Sequence, residues 1–424
     1  MRIALSVAAC AAGALWLLPR SGGAQEPSSP QRPLTLVEAR EMARQRSPEL
    51  EAALHVVTSA AGRERQAGAW PNPTLSYGRE ETSRSGQSDV QDILSLEQPL
   101  EVGGQRGARR QAAGLARMAA EARVAATAAR VDFEVTRIYA TAVTAERRAA
   151  LVEQAAAAFA RAARASEARL AGGDVSGYQN RRLKLEAARY TALRLEAVMA
   201  RDSAAHALAS LIGLADSAGG AGALQLVDAS MPAPLALPVD SLVALALSQR
   251  PELLAARLEA DAGLAEARLA AAERIPTPVL SGGYKHERQA GAGSLGGFVA
   301  GVSIPVPLWD RRAGAVSAAR AEAERRTSEV EGLRRQTVRE VRAAFGAHQA
   351  LTSELALLAG QLGEDAEKAR RAAEAAYREG EISLLEWLDS VRAYQEAETT
   401  YVTLWSEYIA RRAALERATG AMLF

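Results

Sequence analysis

The chain of 424 residues is poor in cysteine, in aromatic residues and in net charge. Its single cysteine, Cys10, excludes an intrachain disulfide framework and a zinc site made of several thiolates. Aromatic residues make up only 4% of the chain, while alanine is abundant, which favours closely packed helices over a thick aromatic core. Because 51 basic residues face 50 acidic ones, no general surface for nucleic acid is indicated.

The sequence motifs of enzymes are also missing. We find no nucleophile elbow, no phosphate-binding loop, no dinucleotide fingerprint and no cluster of metal ligands. Of the four histidines, His348 lies on an apolar helix seam, where a packed or hydrogen-bonded side chain is expected rather than a metal ligand. The sequence therefore predicts a protein that is not an enzyme and that has no cofactor and no metal site.

The N-terminus has the pattern of a secretory signal peptide. A basic start is followed by an apolar run and by small residues up to Ala24, which predicts a signal peptide over residues 1–24. A loose lipobox around Cys10 leaves lipidation open as an alternative. Residues 25–33 are polar and rich in proline and are predicted to be an extended leader. No other segment could cross a bilayer as a helix, so the mature protein is predicted to be exported.

Proline is absent between Arg311 and Phe424, and a very long helix is predicted over residues 313–378. Its length of about 66 residues corresponds to about 100 Å, which suits a rod or a tube rather than a compact core. Gly380 can end this helix in the left-handed conformation, and Ser383 can cap the next helix.

Upstream, the pattern alternates between helices and short strands. A helix from Leu34 to about Gly68 is expected to break near Ser47, because Pro48 follows. The other predicted elements of this half are strands at 74–79 and about 90–101, helices at 105–171 and to about 211, and a turn at 172–176.

The same order of elements then recurs. Ser47-Pro48-Glu49-Leu50 reappears as Arg250-Pro251-Glu252-Leu253, and Gly173-Asp174-Val175-Ser176 reappears as Gly380-Glu381-Ile382-Ser383, with offsets of 203 and 207 residues. This indicates a tandem duplication with repeats at 34–213 and 239–424 and a linker at 214–238. The second repeat has predicted strands at about 279–287 and 296–306, giving hairpins at about 74–101 and 279–306.

The helix lengths predict a rod with both hairpins at one end. In each repeat, two helices of about 35 residues match one helix of about 66, so they can stack end to end along it. Four strands per chain, each long enough to cross a bilayer when tilted, cannot close a barrel alone. Two chains would supply eight strands and three would supply twelve. The alternative is a small soluble sheet that caps the rods.

At this point the sequence resembles the TolC-like outer-membrane efflux proteins. Residues 377–390, with Tyr377, Gly380 and Ser383, resemble the second helical turn of that family. Gln98-Pro99-Leu100-Glu101-Val102-Gly103-Gly104-Gln105-Arg106 resembles a segment of the cobalt–zinc–cadmium branch. The resemblance implies a mostly α fold with a small β part: a homotrimer with a twelve-stranded β-barrel in outer-membrane lipid and an α-barrel tunnel in the periplasm. It also implies a periplasmic adaptor and an inner-membrane pump of the RND type as partners.

The resemblance also assigns candidate functional residues. Glu386 and Asp389 match the acidic residues that ring the closed periplasmic end, where a trimer would bring six carboxylates together. The candidate adaptor contacts at the two turns are Gly173, Asp174, Ser176, Gly380, Glu381 and Ser383.

The function predicted on this basis is a passive outer-membrane duct of a tripartite efflux system. The segment ending in Gly103-Gly104-Gln105-Arg106 favours metal cations over drugs or other organic compounds. Two alternatives remain: the duct of a type I protein secretion system and, from another class, a soluble periplasmic coiled-coil scaffold. Fractionation separates the scaffold from a duct, and neighbouring genes separate the two ducts.

Overall fold

The computed structural model describes residues 33–84, 87–214, 224–227, 235, 237–362 and 364–423. The predicted signal peptide with Cys10, the leader except for residue 33, and most of the predicted linker lie outside the described residues. The elements, in chain order, are α1 (Leu36–Arg46), α2 (Pro48–Ala67), β1 (Thr74–Arg84), β2 (Gln87–Pro99), α3 (Gln105–Ala171), α4 (Gly177–Leu211), α5 (Val239–Gln249), α6 (Pro251–Ala272), β3 (Val279–Gln289), β4 (Gly293–Ser303), α7 (Ala313–Leu362), α8 (Glu364–Glu379) and α9 (Leu384–Thr419).

The helix boundaries follow local signals in the sequence. The predicted break near Ser47 is confirmed: Ser47 is extended, its hydroxyl accepts from Leu50 N, and Pro48 opens α2. The helix over 105–171 has the predicted bounds. The predicted long helix 313–378 consists of α7 and α8, which flank residue 363, a residue outside the described ranges.

The strands differ from the prediction at their ends. β1 continues past Arg79 to Arg84, which pairs with Gln87, so most of the residues between the two predicted strands belong to the hairpin ladder. β4 begins at Gly293 and ends at Ser303 instead of reaching Val306. Pro305 and Pro307 have no N–H to donate, which explains why the ladder stops there.

The four strands form one antiparallel sheet in the order β1-β2-β3-β4. Since β2 of the first hairpin pairs with β3 of the second, both hairpins lie at one end of the molecule, as predicted. The long α3 packs against α2 towards the sheet and against α4 towards the other end. It also packs against α6 and α9, so the two halves share one helical body.

The main apolar core lies midway along this body. Tyr139 of α3 and Tyr408 of α9 lie in this core, with 0% and 1% of their surface exposed. The Tyr139 hydroxyl hydrogen-bonds to the backbone of Leu34 and Val227 over 2.7 and 2.6 Å and thereby fixes the entry to α1. His348 is buried against the Tyr408 ring, as the seam position predicted, and burial lowers its pKa.

Among the described helices, none combines the length and the apolar composition that a membrane-crossing helix needs.

Candidate functional site

The sheet has one strongly apolar face. Strand geometry places alternate side chains on opposite faces, and the pairing register aligns the apolar ones across all four strands. The residues of this apolar face are Leu75, Tyr77, Leu94, Leu96, Leu280, Tyr284, Phe298, Ala300 and Val302. None of its large side chains packs in a core cluster, and Phe298 is 92% exposed. Such a surface needs an apolar environment outside the chain.

The opposite face of the sheet is mostly polar. Its polar members include Thr74, Ser76, Glu80, Ser95, Glu97, Ser281, Lys285 and Glu287. Its large apolar members are Ile93, Leu295, Val299 and, at the start of β3, Val279. Ser76 and Ser95 hydrogen-bond through their hydroxyls at 2.7 Å, and Lys285 pairs with Glu287 at 3.2 Å. One face therefore suits lipid and the other suits water.

An aromatic row forms the border of the apolar face towards a polar row nearer the hairpin tips. Tyr77, Tyr284 and Phe298 occupy this row, and the last two rings meet edge-on at 5.8 Å. In the next row, Asp92 accepts a hydrogen bond from the Tyr77 hydroxyl at 2.7 Å and lies 3.8 Å from the Arg79 guanidinium. An apolar belt edged by aromatic and then charged residues is typical of a strand wall in a bilayer.

The sheet is open in a single chain. β1 and β4 are its two edges, and neither has a further strand partner among the described residues. An open edge exposes unpaired N–H and C=O groups, which lipid does not tolerate. The wall can therefore be completed only by further strands.

The segment that resembled the cobalt–zinc–cadmium branch forms the joint between sheet and rod. Gln105 is buried at this joint, with 3% of its surface exposed. Its side-chain oxygen accepts a hydrogen bond from Gly103 N at 2.8 Å, and its side-chain nitrogen donates one to Ile275 O at 3.0 Å. A Cβ on Gly103 would lie 2.7 Å from the Ile275 Cβ, so this close approach requires glycine. The joint therefore ties the start of α3 to the entry of the second hairpin.

Arg106 of this segment and Arg109, three residues after it, satisfy the carbonyl groups at the end of α2. Arg106 donates to Gly68 O at 2.7 Å and lies over the Trp70 ring at 4.6 Å. Arg109 donates to Ala67 O at 3.2 Å and to both carboxylate oxygens of Glu101, at 2.6 and 3.2 Å. These side chains are occupied by folding contacts.

The two predicted turns are built alike at the other end of the molecule. Gly173 and Gly380 have φ values of +83° and +82°, which favour glycine. Asp174 N donates to Arg169 O, and Glu381 N donates to Ala376 O, each at 2.9 Å, which closes the end of the preceding helix. Ser176 and Ser383 then cap α4 and α9 through capping boxes. All six residues predicted for adaptor contact thus shape these turns, and all six are exposed.

The two candidate gate residues lie on the first turns of α9. Glu386 and Asp389 are both exposed and share a helix face. The Glu386 carboxylate accepts from Ser383 N at 2.7 Å as part of the capping box. This backbone hydrogen bond, and then the Ser383 hydroxyl, hold the pKa of Glu386 below its ordinary value. Glu386 therefore has a structural role at the helix start that its match to the family did not reveal.

An aromatic cluster that no sequence motif indicated lies beneath the two turns. Trp387 is buried there, with 3% of its surface exposed. Phe159 of α3 and Tyr377 of α8 contact the Trp387 ring, and Tyr190 of α4 stacks on Phe159. The apolar spacing around Trp387 in α9 could have indicated a buried face, but no sequence signal identifies the partners.

Comparison with known proteins agrees with this architecture. Residues 242–421 match the family model "Outer membrane efflux protein". The cobalt-zinc-cadmium resistance protein CzcC of Cupriavidus metallidurans is 27% identical over 393 residues, covering 92% of this chain and 90% of that protein. The nickel-cobalt-cadmium resistance protein NccC of Alcaligenes xylosoxydans xylosoxydans is 27% identical over 72% of this chain and 68% of that protein.

Among solved structures, the CmeC outer membrane channel of Campylobacter jejuni superposes with a TM-score of 0.75 at 16% identity. The match covers 92% of this chain and 86% of that one. This structural likeness extends the match beyond the second half of the chain. Residues 242–421 are thus similar to an outer membrane efflux protein, and the chain has the fold of the outer membrane channel that it superposes on.

Proposed function

We propose that this protein is the passive outer-membrane duct of a tripartite efflux system that exports metal cations. The one-sided apolar sheet with two open edges carries the proposal, because it needs both a bilayer and further strands. The sheet lies in the outer membrane, and the helical rod extends into the periplasm. Transport energy comes from an inner-membrane pump of the RND type, joined through a periplasmic adaptor.

A homotrimer with twelve strands completes the wall. Three chains supply twelve strands, enough to leave an aqueous channel. An unpacked apolar stripe on α4 supports contact between copies along the rods. Tyr178, Leu185, Leu195 and Met199 recur on one face of α4 and are 70%, 71%, 56% and 73% exposed. Such a stripe is expected to pack against a helix of a neighbouring subunit.

The periplasmic mouth is the proposed gate. In the trimer, Glu386 and Asp389 place six carboxylates around a narrow opening, which concentrates cations and disfavours anions. Crowding of carboxylates also makes closure sensitive to pH and to divalent ions. The turns at Gly173, Asp174 and Ser176 and at Gly380, Glu381 and Ser383 are the proposed adaptor contacts, since they form the exposed tips.

Metal cations are the proposed substrates because the relatives CzcC and NccC are named for resistance to cobalt, zinc, cadmium and nickel. The joint around Gln105 does not add support for a metal cargo, because the Gln105 side chain is engaged in folding contacts. An acidic mouth is compatible with a cationic cargo.

Survival of a strain that lacks this gene tests the duct and its cargo together. The strain should lose resistance to zinc, cobalt, cadmium or nickel while its resistance to an organic dye stays unchanged, and the intact gene should restore it. The protein should be recovered from outer-membrane detergent fractions. Sensitivity to the dye alone would refute the cargo, and recovery only in the periplasmic extract would refute the duct.

The gate assignment needs substitutions that spare the capping box. Glu386→Ala would remove charge and cap together, whereas Glu386→Gln keeps an acceptor for Ser383 N and removes only the charge. In planar bilayers, Glu386→Gln with Asp389→Asn should lower cation selectivity and raise the open probability. The matched control is Glu407→Gln, an exposed carboxylate further along α9. Equal behaviour of gate and control variants would reject the gate.

A further inference from the structure

The joint between sheet and rod carries an excess of arginine. It consists of four chain segments, residues 67–73, 99–112, 270–278 and 304–313. Together these segments contain six arginines and three carboxylates. They meet in space, since Leu100 N donates to Pro278 O at 2.7 Å and the Arg312 guanidinium donates to Glu273 O at 3.4 Å. The joint is therefore one basic region at the rod end of the sheet.

The three carboxylates of the joint are already engaged. Glu101 accepts two hydrogen bonds from Arg109, and Glu273 accepts one from the Arg312 guanidinium at 2.6 Å. Asp310 accepts a hydrogen bond from Arg312 N at 2.7 Å. The positive charge of the remaining arginines is therefore not balanced within the joint.

Three of these arginines are exposed and have free guanidinium groups. In the part of the chain that the structure describes, no carboxylate and no hydrogen-bond acceptor contacts the side chains of Arg110, Arg274 and Arg311. Arg110 lies one helical turn after Arg106 on α3, at the end that meets the sheet. Arg311 directly precedes Arg312 at the start of the second long rod. These three groups are available for an anion from outside the chain.

Two exposed tryptophans lie in the same joint. Trp309 is 93% exposed and Trp70 is 58% exposed, although the burial of so large a ring is normally favourable. Arg106 positions Trp70, because it lies over the ring at 4.6 Å and donates to Gly68 O at 2.7 Å. Exposed tryptophan is typical of the boundary between the acyl chains and the head groups of a bilayer.

The joint lies at the correct end of the apolar face for such a boundary. Towards the hairpin tips, that face ends at the aromatic row of Tyr77, Tyr284 and Phe298. A strand wall in a bilayer carries aromatic residues at both of its edges. Trp70 and Trp309 therefore mark the second edge, on the side of the rod.

We propose that the joint binds the head groups of anionic phospholipids in the leaflet next to the rod. The residues that form this surface, called the arginine–tryptophan collar, are Trp70, Trp309, Arg110, Arg274 and Arg311. A guanidinium group can donate two parallel hydrogen bonds to a phosphate, and the tryptophan rings pack beside the glycerol region of the lipid. The excess positive charge of the joint makes anionic lipids preferred over zwitterionic ones. This inference rests on the proposed duct function, because it requires the sheet to lie in a bilayer.

Trp309 is a native sensor for the lipids at the collar. The protein is reconstituted into vesicles of phosphatidylcholine and phosphatidylglycerol, with brominated acyl chains on one of the two lipids. Bromine quenches the fluorescence of a nearby tryptophan, so the two arrangements give the relative binding constant of the lipids. The difference between the unsubstituted protein and Trp309→Phe isolates Trp309, while Trp387 and Trp405, each 3% exposed, give a constant background.

We expect phosphatidylglycerol to be preferred over phosphatidylcholine by about fivefold at Trp309, which is the effect of one arginine beside an anionic head group. Arg110→Gln with Arg274→Gln and Arg311→Gln should bring this preference to within about twofold of unity. In phosphatidylcholine alone, the triple variant should keep its folding stability, because the three side chains make no polar contact within the described part of the protein.

The matched control removes the same charge from the rod. Its three substitutions replace exposed arginines further along α3: Arg148→Gln, Arg161→Gln and Arg164→Gln. The control variant should retain the fivefold preference. Equal quenching by the two lipids in the unsubstituted protein, or an unchanged preference in the triple collar variant, would overturn the collar. Loss of the preference when inorganic phosphate replaces chloride at equal ionic strength would show that the arginines take free phosphate, which would also overturn it.

A second reporter separates the collar from the duct. Val302→Trp in the Trp309→Phe background places a tryptophan within the apolar face of the sheet. If this reporter is quenched by both lipids while Trp309 is quenched by neither, the sheet lies in the bilayer and the duct stands, but the collar is overturned. If neither tryptophan is quenched, the membrane assignment of the sheet fails, and the collar fails with it.

Discussion

Replacing Val302 by lysine tests directly whether the apolar face of the sheet meets lipid. Val302 lies on that face near the end of β4 and is 65% exposed in the single chain. Ser303, the next residue, is also exposed but points to the polar face. The variants Val302→Lys and Ser303→Lys therefore introduce the same side chain at neighbouring positions that differ only in the environment they face.

The expected difference follows from the depth of Val302 in the apolar belt. Val302 lies about 13 Å along β4 from Phe298 of the aromatic row, and exposed apolar side chains follow the end of the strand at Ile304 and Val306, so Val302 lies inside the apolar region and not at its edge. A lysine on the lipid face of a strand wall costs about 2–4 kcal/mol at the bilayer midplane and about 0–1 kcal/mol near the interfaces. Val302→Lys should therefore lower the folded-to-unfolded ratio about 30- to 900-fold per chain. Ser303→Lys should change stability by less than about 0.5 kcal/mol.

Urea titration in phospholipid vesicles measures this difference, with strand content followed by circular dichroism. Recovery of each variant from the outer-membrane fraction gives an independent readout in cells. If the two lysine variants lose the same free energy of unfolding, or if Ser303→Lys loses more, the apolar face does not contact lipid. The membrane assignment of the sheet would then fail, whatever the helical rod does.

Three further outcomes test the joint, the turn and the ion pairs of α8. Arg109→Ala should destabilise the protein by about 2–3 kcal/mol in the same urea titration, because it leaves the Glu101 carboxylate without its bidentate partner, and the Glu101 side chain is only 9% exposed. Arg110→Ala, at an exposed neighbouring position, is the control and should have little effect. Ser383→Ala should cost about 1 kcal/mol through loss of the α9 cap, while Ser383→Thr should keep most of it, as measured by thermal unfolding. Hydrogen bonds from two arginines of α8 lower the pKa of Glu367 to about 2. Its stabilising contribution should thus be complete above about pH 4.5 and should be lost as the pH falls towards 2. Comparison with Glu367→Gln by unfolding between pH 7 and pH 2.5 would refute this if the difference vanished already at pH 5.

The helices and turns could be predicted because their ends depend on local chemistry. Pro48 cannot continue α1, Gly380 adopts the left-handed conformation with φ of +82°, and Ser383 caps the next helix with its own hydroxyl. Each of these signals acts within about four residues, so a single sequence contains all the information needed. The order of elements and the rod followed from the same signals, repeated in the second half.

The strand ends and the joint could not be predicted because they depend on distant partners. Polar residues such as Arg84 and Gln87 resemble a loop in the sequence, yet the ladder with the facing strand holds them extended. Gln105 bonds to Ile275, 170 residues away. Likewise, the contact between Phe159 and Trp387 joins the two repeats and has no local signature.

The two repeats hold their joints between sheet and rod in different ways. In the first repeat, Gln105, Arg106 and Arg109 contact backbone groups from both halves. In the second repeat, Arg312 has a φ of +54°, and its guanidinium bonds to the Glu273 carboxylate at 2.6 Å. The first joint thus contacts both repeats, whereas the Arg312–Glu273 contact of the second joint lies within the second repeat. Gly103, Gln105 and Arg106, from the segment that suggested a metal cargo, are therefore engaged in folding contacts. Cargo preference should be sought on surfaces that face water, such as the polar face of the sheet and the proposed gate at Glu386 and Asp389.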